Sequence, residues 1–223
     1  MSPFVGIFAG LLTFLAFWVQ YKANEQQRSD IAIERFENTL FQMMTLHEDI
    51  TDNLRYTAPD SIPEVLANGR HVFEFIYLHR HWHWHVGLKT SISHDGLEAM
   101  TKDHSLWCLD HYFRHLYRTL KWVEEGSPRF FTINEKYKYA ALVRSMLSEF
   151  ELVLIFYNAL LKENKKFKKL IEDYSILDNL RIDLLAREEE RSFYKQLRQS
   201  DNVACPESLA NQVYTQKAIL HIV

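Results

Sequence analysis

An uncharged apolar stretch near the N-terminus constrains the fold more than any other feature of the sequence. Residues 3–19 are almost entirely apolar, and no charged side chain occurs before Lys22. A helix that crosses a bilayer needs about 20 such residues, and Trp18 and Tyr21 stand where an interfacial aromatic belt would lie. A cleaved signal peptide fits less well, because the stretch has no basic segment before it and no small-residue cleavage site after it. The sequence therefore predicts a retained transmembrane helix.

Basic residues just after the apolar stretch predict its orientation. Lys22, Arg28 and Arg35 follow it, and the positive-inside rule counts mainly lysine and arginine near the ends of a span. The rule places the rest of the chain in the cytoplasm, with membrane lipid contacted through residues 3–21.

Composition predicts what the rest of the chain becomes. Only 6 Gly and 5 Pro occur in 223 residues, which favours long helices over a many-turned β architecture. We predict an all-α protein in which one N-terminal transmembrane helix (1–22) precedes a cytoplasmic bundle of about six to eight helices (23–200) and a C-terminal tail (201–223).

The net charge of −3 argues against bulk nucleic-acid binding. Two cysteines without CxxC spacing indicate reduced thiols.

The segment from about residue 23 to 56 carries apolar residues at alternating steps of four and three. The stripe comprises Phe36, Leu40, Met43, His47, Ile50 and Leu54. This pattern fits either the core face of the domain or a seam between two copies of the chain, which would make a homo-oligomer. We favour the core, because Phe41, Met44 and Leu46 widen the apolar face. His47 is expected to be a core histidine with a hydrogen-bond partner rather than a ligand.

Four histidines alternate over residues 79–85. On a helix they form two i, i+4 pairs, which can chelate zinc, but no CxxC, HExxH or matched carboxylate cluster lies nearby. We therefore predict no metal site and no cofactor. The spacing Arg80-x4-His85 also resembles the Arg…His motif of HEPN-type ribonucleases, which are small all-α domains.

Residues 111–122 separate into two faces when placed on a helix. The apolar face comprises Phe113, Leu116, Tyr117 and Leu120. The other face is a cationic strip of His111, Arg114, His115 and Arg118. One face suits a core, and the strip could pair with carboxylates of a neighbouring helix or bind a phosphate.

A long helix is predicted from the capping-box signature Thr132-Ile-Asn-Glu135 to about Lys162. It is apolar nearly all round over residues 152–157, so we expect it to be central. Its polar exceptions lie on one side, as the row Arg144, Ser148, Glu151 and Asn158.

Polar groups on a buried helix need partners. We therefore expect His111, Arg114 and Arg118 to face Glu151. Such a contact is either a polar junction that holds the fold or part of a catalytic or ligand site.

The dense basic run at residues 162–169 is interpreted as a solvated loop and helix start. The alternative is contact with anionic lipid headgroups, because the anchor holds the domain near the bilayer.

Several segments, in order along the chain, resemble the AbiC-like family of phage abortive infection proteins. The similar segments are Arg35–Gln42 with Leu46–Glu48, Gly69-Arg70 with Phe73 and Tyr77, His111–Arg118, Arg144 with Leu147-Ser148 and Glu151-Leu152, Phe156–Asn158, and Phe167–Tyr174 with Asn179–Arg181. The sequence departs from the family at His115, where the family motif has Asn, and in the histidine-rich residues 79–85, which fall in a variable region. Family members also often carry more than one N-terminal hydrophobic segment, whereas one is present here.

The resemblance implies defence against bacteriophage by arresting or killing the infected cell, and it implies no defined reaction. Our first hypothesis is a non-enzymatic, single-pass protein of the bacterial inner membrane that senses a phage component or acts as an effector there. The alternative is a HEPN-like helical ribonuclease that cleaves RNA. In it the strip histidines would act as general acid and base and its arginines would stabilise the phosphorane charge. Nucleic acid is a partner only under this alternative.

Overall fold

The computed structural model describes residues 3–57, 65–79, 87–102, 104–200, 203–206, 209 and 213–219, with the side chains of residues 3–6, 79, 102, 104 and 105 outside that description. Helices dominate this part of the chain, so the predicted all-α class is confirmed. The histidine pairs of residues 79–85 and the Arg80-x4-His85 spacing lie outside the described side chains.

Helix α1 is a single helix from Pro3 to Asp52. Its large apolar side chains between Ile7 and Tyr21 are between 51% and 70% exposed. Measured over the described residues alone, none of the helices offers an apolar length sufficient for a membrane crossing.

The second half of α1 packs into the domain. Phe36, Leu40, His47 and Leu54 of the stripe are buried, and its other two members are half-buried. The ring of Phe36 lies 4.3 Å from that of Phe131, measured between centroids. The core interpretation of the stripe is therefore confirmed. Its apolar face is narrower than expected, because Phe41 and Leu46 are half exposed.

The region after α1 contains a small antiparallel hairpin that the sequence reasoning missed. Strand β1 (Arg55–Thr57) pairs with β2 (Val65–Asn68), with Tyr56 opposite Ala67. The helix α2 (His71–Glu74) follows and widens into a π-helical turn at Phe75–His79.

Helices α3 (Leu88–Asp95) and α4 (Glu98–Lys102) lead through a 3-10 segment (His104–Leu109) into α5 (Asp110–Glu125). Helix α5 ends just before Gly126.

Helix α5 runs antiparallel to α1. Phe36 stacks on Trp122 with 5.9 Å between ring centroids, and His47 meets Tyr112 at 4.6 Å. The N-terminal half of α1 is therefore on the side of the C-terminal end of α5.

The helix predicted from Thr132 to Lys162 is two helices, which corrects that prediction. Helix α6 (Ile133–Ser145) begins at the expected capping box, in which the Thr132 amide donates to Glu135 at 2.7 Å. Helix α7 (Glu149–Ala159) begins at a second capping box, with Ser148 as its N-cap. The helix is interrupted between them because the N-cap residue Ser148 takes an extended conformation that a continuous helix does not allow.

Helix α7 is the centre of the core, as predicted, with its residues 151–157 all buried. A 3-10 turn (Lys162–Asn164), α8 (Lys165–Asp173), another 3-10 turn (Ile182–Leu184), α9 (Glu188–Leu197) and α10 (Gln216–Ile219) follow.

The described part of the predicted C-terminal tail packs against the domain. The Tyr214 hydroxyl donates to the Phe156 carbonyl of α7 at 3.0 Å, and the Leu177 amide donates to Ala218 at 3.0 Å. The described residues form ten α-helices, more than the predicted bundle and anchor together require, because one predicted helix is split and several helices are single turns.

Candidate functional site

The cationic strip lies on the outer face of α5. His111, Arg114 and Arg118 are exposed, and the apolar residues predicted for the opposite face are buried or half-buried. The fourth member, His115, is half-buried and turns toward α1, where its Nδ1 lies 3.4 Å from Nδ1 of His47. Three of the four residues of the strip therefore face solvent.

Glu151 pairs with Arg70 instead of with the strip. Its Oε2 lies 3.0 Å from Nη1 of Arg70, which also donates to the Met146 carbonyl at 2.7 Å. The prediction that the strip faces Glu151 is wrong, because His111, Arg114 and Arg118 project outward. Arg70 reaches the carboxylate because it stands at the turn between β2 and α2, beside the break that separates α6 from α7.

Five side chains from four parts of the chain form what we call the polar junction. They are His47, Arg70, Tyr112, His115 and Glu151. Glu151 is 1% exposed and His47 is 3% exposed. Glu48 adds a long contact at the rim, 4.0 Å from Arg70. The polar junction joins α1, α2, α5 and α7 at one point.

Burial sets the protonation of the polar junction. Burial, with the neighbouring His115 and Arg70 adding to it, lowers the pKa of His47 to about 4. Burial and then the proximity of His111 lower the pKa of His115. Burial, and after it the Glu151 carboxylate, raises the pKa of Tyr112 well above its usual value. At neutral pH the two imidazoles are therefore uncharged, and Arg70 with Glu151 supplies the charged pair.

The two imidazoles constrain each other. Because their Nδ1 atoms face each other at 3.4 Å, one ring must donate a proton there while the other accepts. Protonating the accepting Nδ1 would bring two N–H donors together and place a positive charge on that ring. The polar junction is therefore suited to fixing helix register at neutral pH.

The remaining row residues act separately. Arg144 donates to the Ser175 carbonyl at 2.8 Å and lies 3.3 Å from the Asp178 carboxylate, so it holds the segment after α8. Ser148 caps α7, accepting from the Glu151 amide at 3.4 Å.

Asn158 accepts two hydrogen bonds from the Asn164 side chain, at 2.8 Å by its carbonyl and 3.1 Å by its side-chain oxygen. Together with Arg114 it lines an open groove of about 430 Å³ between α5 and α8. The charged lining of this groove balances, since Asp110 and Glu163 offset Arg114 and Lys166. No group of three or more His, Cys, Asp or Glu side chains comes together as a metal site among the described residues.

Sequence reasoning missed the roles of Arg70 and Tyr112. Tyr112 precedes His115 by three residues and so shares its helix face, which was a usable signal. Arg70 stood in a segment resembling the family, but its partner Glu151 is 81 residues away. Spacing along the chain could not supply that contact.

The fold defines the protein as a helical bundle whose long first helix has an exposed apolar end. A family model described as "Putative phage abortive infection protein" matches residues 105–185, so the resemblance inferred from the sequence is confirmed over that segment. The match covers α5 to the 3-10 turn after α8, including Tyr112, His115 and Glu151. It supports a role in phage abortive infection. Searches of curated proteins and of solved structures found no match to the chain.

Neither the comparisons nor the described residues support the ribonuclease alternative. Of the two histidines that it required in the strip, His115 faces His47 in the polar junction.

Proposed function

We propose that the protein is a membrane-tethered anti-phage protein that acts in abortive infection at the bacterial inner membrane, as a sensor or an effector. The match over residues 105–185 supports the abortive infection role. The observation that supports the membrane tether is the exposed apolar surface at the start of α1.

The exposed surface of α1 has the chemistry of a lipid-facing helix. Large apolar side chains from Ile7 to Tyr21 cover more than half of its circumference, and Ala9, Thr13, Ala16 and Gln20 lie on the remainder. A helix without a polar face is normally buried in protein or in lipid. At about 1.5 Å per residue, residues 3–21 extend about 28 Å, close to the roughly 30 Å of a bilayer's hydrocarbon core.

The basic residues Lys22, Arg28 and Arg35 support a cytoplasmic domain under the positive-inside rule. Since α1 continues without a break to Asp52, the tether and the polar junction share one helix. A sensor or effector would therefore be coupled rigidly to the membrane through α1.

A pair of charge insertions tests the tether. Leu11→Lys/Leu15→Lys places two cations in the apolar stretch, at a cost of about 2.5–3.5 kcal/mol each near the centre of a span. The matched control Gln27→Lys/Gln42→Lys adds the same charge at exposed positions further along α1.

Membrane fractionation and phage plaque assays should be run on both variants at equal expression. We expect wild type and control to fractionate with membranes and to protect, and the Leu11/Leu15 variant to lose both properties. A wild-type protein in the soluble fraction, or full protection by a displaced variant, would overturn the proposal.

A further inference from the structure

We propose that a groove at the base of α1 binds the phosphate-bearing headgroup of an anionic phospholipid, an inference that rests on the proposed membrane tether. The groove has a volume of about 420 Å³ and lies between α1 and the loop that joins α5 to α6. Tyr21, Asn24 and Arg28 line it from α1, and Arg129 and Phe130 line it from the loop.

The groove carries excess positive charge. Its charged lining residues are Glu25, Arg28 and Arg129, two cations and one carboxylate, for a net charge of +1. Glu25 is shared, since its two oxygens lie 3.5 Å from Lys22 Nζ and 3.6 Å from Arg129 Nη2. Arg28 has no carboxylate partner in the described part of the chain, and the Arg129 side chain is 71% exposed.

The residue types match a phospholipid at the level of its headgroup. A guanidinium offers a planar fork of donors that fits two phosphate oxygens. Arg129 also lies over the ring of Phe130, 5.5 Å from its centroid, and Trp18 and Tyr21 form an aromatic pair at the same end of the apolar stretch. Aromatic rings of this kind concentrate at membrane interfaces.

The geometry favours this groove over the lysine-rich residues 162–169. Phe36 lies 15 residues beyond Tyr21, or about 22 Å along α1, and its ring contacts Trp122 of α5. Tyr117 lies five residues before Trp122 in the antiparallel α5, and so still further from the apolar stretch. The ring of Tyr117 contacts Phe167, within the lysine run. The lysine run is therefore about 30 Å from the end of the apolar stretch along the α1 axis. Lipid contact through the lysine run would require α1 to lie flat on the membrane surface. The groove, by contrast, lies at the level of the headgroups when α1 stands upright in the bilayer.

Native mass spectrometry of the detergent-purified full chain tests the site. Equimolar phosphatidylglycerol and phosphatidylcholine are added, and the ratio of the two bound lipids is measured. We expect wild type to prefer phosphatidylglycerol, and Arg129→Gln to reduce that preference about fivefold. Glu25→Gln removes the competing carboxylate and should raise the preference.

The matched control is Lys165→Gln/Lys166→Gln, which removes two exposed cations from the distant lysine run. We expect it to keep the wild-type ratio. A loss of preference in this control, with none in Arg129→Gln, would overturn the site in favour of the lysine run.

Added inorganic phosphate distinguishes a headgroup site from a free-phosphate site. Displacement of phosphatidylglycerol by phosphate would overturn the lipid assignment, and persistence of the bound lipid supports it. Membrane fractionation of the same proteins separates the two proposals. A wild-type protein that fractionates with membranes but shows no lipid preference contradicts the headgroup site alone, whereas a soluble wild-type protein contradicts the tether itself.

Discussion

Acid should destabilise the protein through His47, and this prediction follows from the polar junction directly. The folded pKa of His47 is about 4, below the ordinary value of about 6.5 that applies to the unfolded chain. The unfolded chain therefore binds more protons between these two values, so the free energy of unfolding falls as the pH is lowered through that window. The stability contributed by the neutral, buried ring is fully present above about pH 6.5.

The expected size of the effect is large enough to measure. With one pKa unit equal to about 1.36 kcal/mol, the shift of His47 removes about 2 kcal/mol of stability between about pH 7 and pH 5. By about pH 4 the loss approaches about 3 kcal/mol. The lowered pKa of His115 acts in the same direction.

Chemical denaturation of the full chain in a neutral detergent, followed by tryptophan fluorescence, measures the free energy of unfolding at each pH. His47→Gln should flatten the pH dependence in this window, while His94→Gln, at an exposed position on α3, should keep the wild-type slope. An unchanged slope in His47→Gln, or a wild-type protein equally stable at both pH values, would refute the assignment of a neutral buried imidazole.

The other stability predictions use the same denaturation experiment at neutral pH. Glu151→Gln should lower the free energy of unfolding by about 2–3 kcal/mol, because it leaves Arg70 without its buried carboxylate. Glu149→Gln, on the same turn but more exposed, should cost less than about 1 kcal/mol, and equal losses would contradict the difference in burial. Ser148→Ala should cost about 1 kcal/mol through loss of the α7 cap, and no loss would argue against the break before α7. Arg114→Ala should change stability by no more than about 0.5 kcal/mol, and an unfolded variant would contradict its position on the outer face.

Periodic features were predictable because a single helix determines them. The spacing of apolar residues gave both faces of α5, and the stripe from Phe36 to Leu54 gave the buried side of α1. The capping box at Thr132 was also predictable, since its two hydrogen bonds join residues three apart.

The break before α7 was missed although its signal was present. Ser148 and Glu151 have the same spacing as Thr132 and Glu135. Because apolar residues surround Ser148 and Glu151 on both sides, the pattern predicts one continuous helix with a polar row.

The membership of the polar junction could not be predicted from spacing. Arg70 and Glu151 meet because a hairpin and a helix break place them together, and His47 meets His115 across 68 residues. Local patterns predict which side of a helix is buried, but only the packing of helices determines which polar side chains meet there. The strip was correctly placed on one helix, whereas the row is divided between α6 and α7, and the predicted pairing of strip and row was wrong for this reason.

The most direct test of an abortive infection role is the survival of a liquid culture carrying the gene, infected with phage at low and at high multiplicity. We expect the culture to keep growing at low multiplicity, because the few infected cells die before releasing phage. At high multiplicity we expect it to collapse with little phage released, because nearly every cell is infected. Continued growth at high multiplicity, or lysis with a full burst at low multiplicity, would contradict the account.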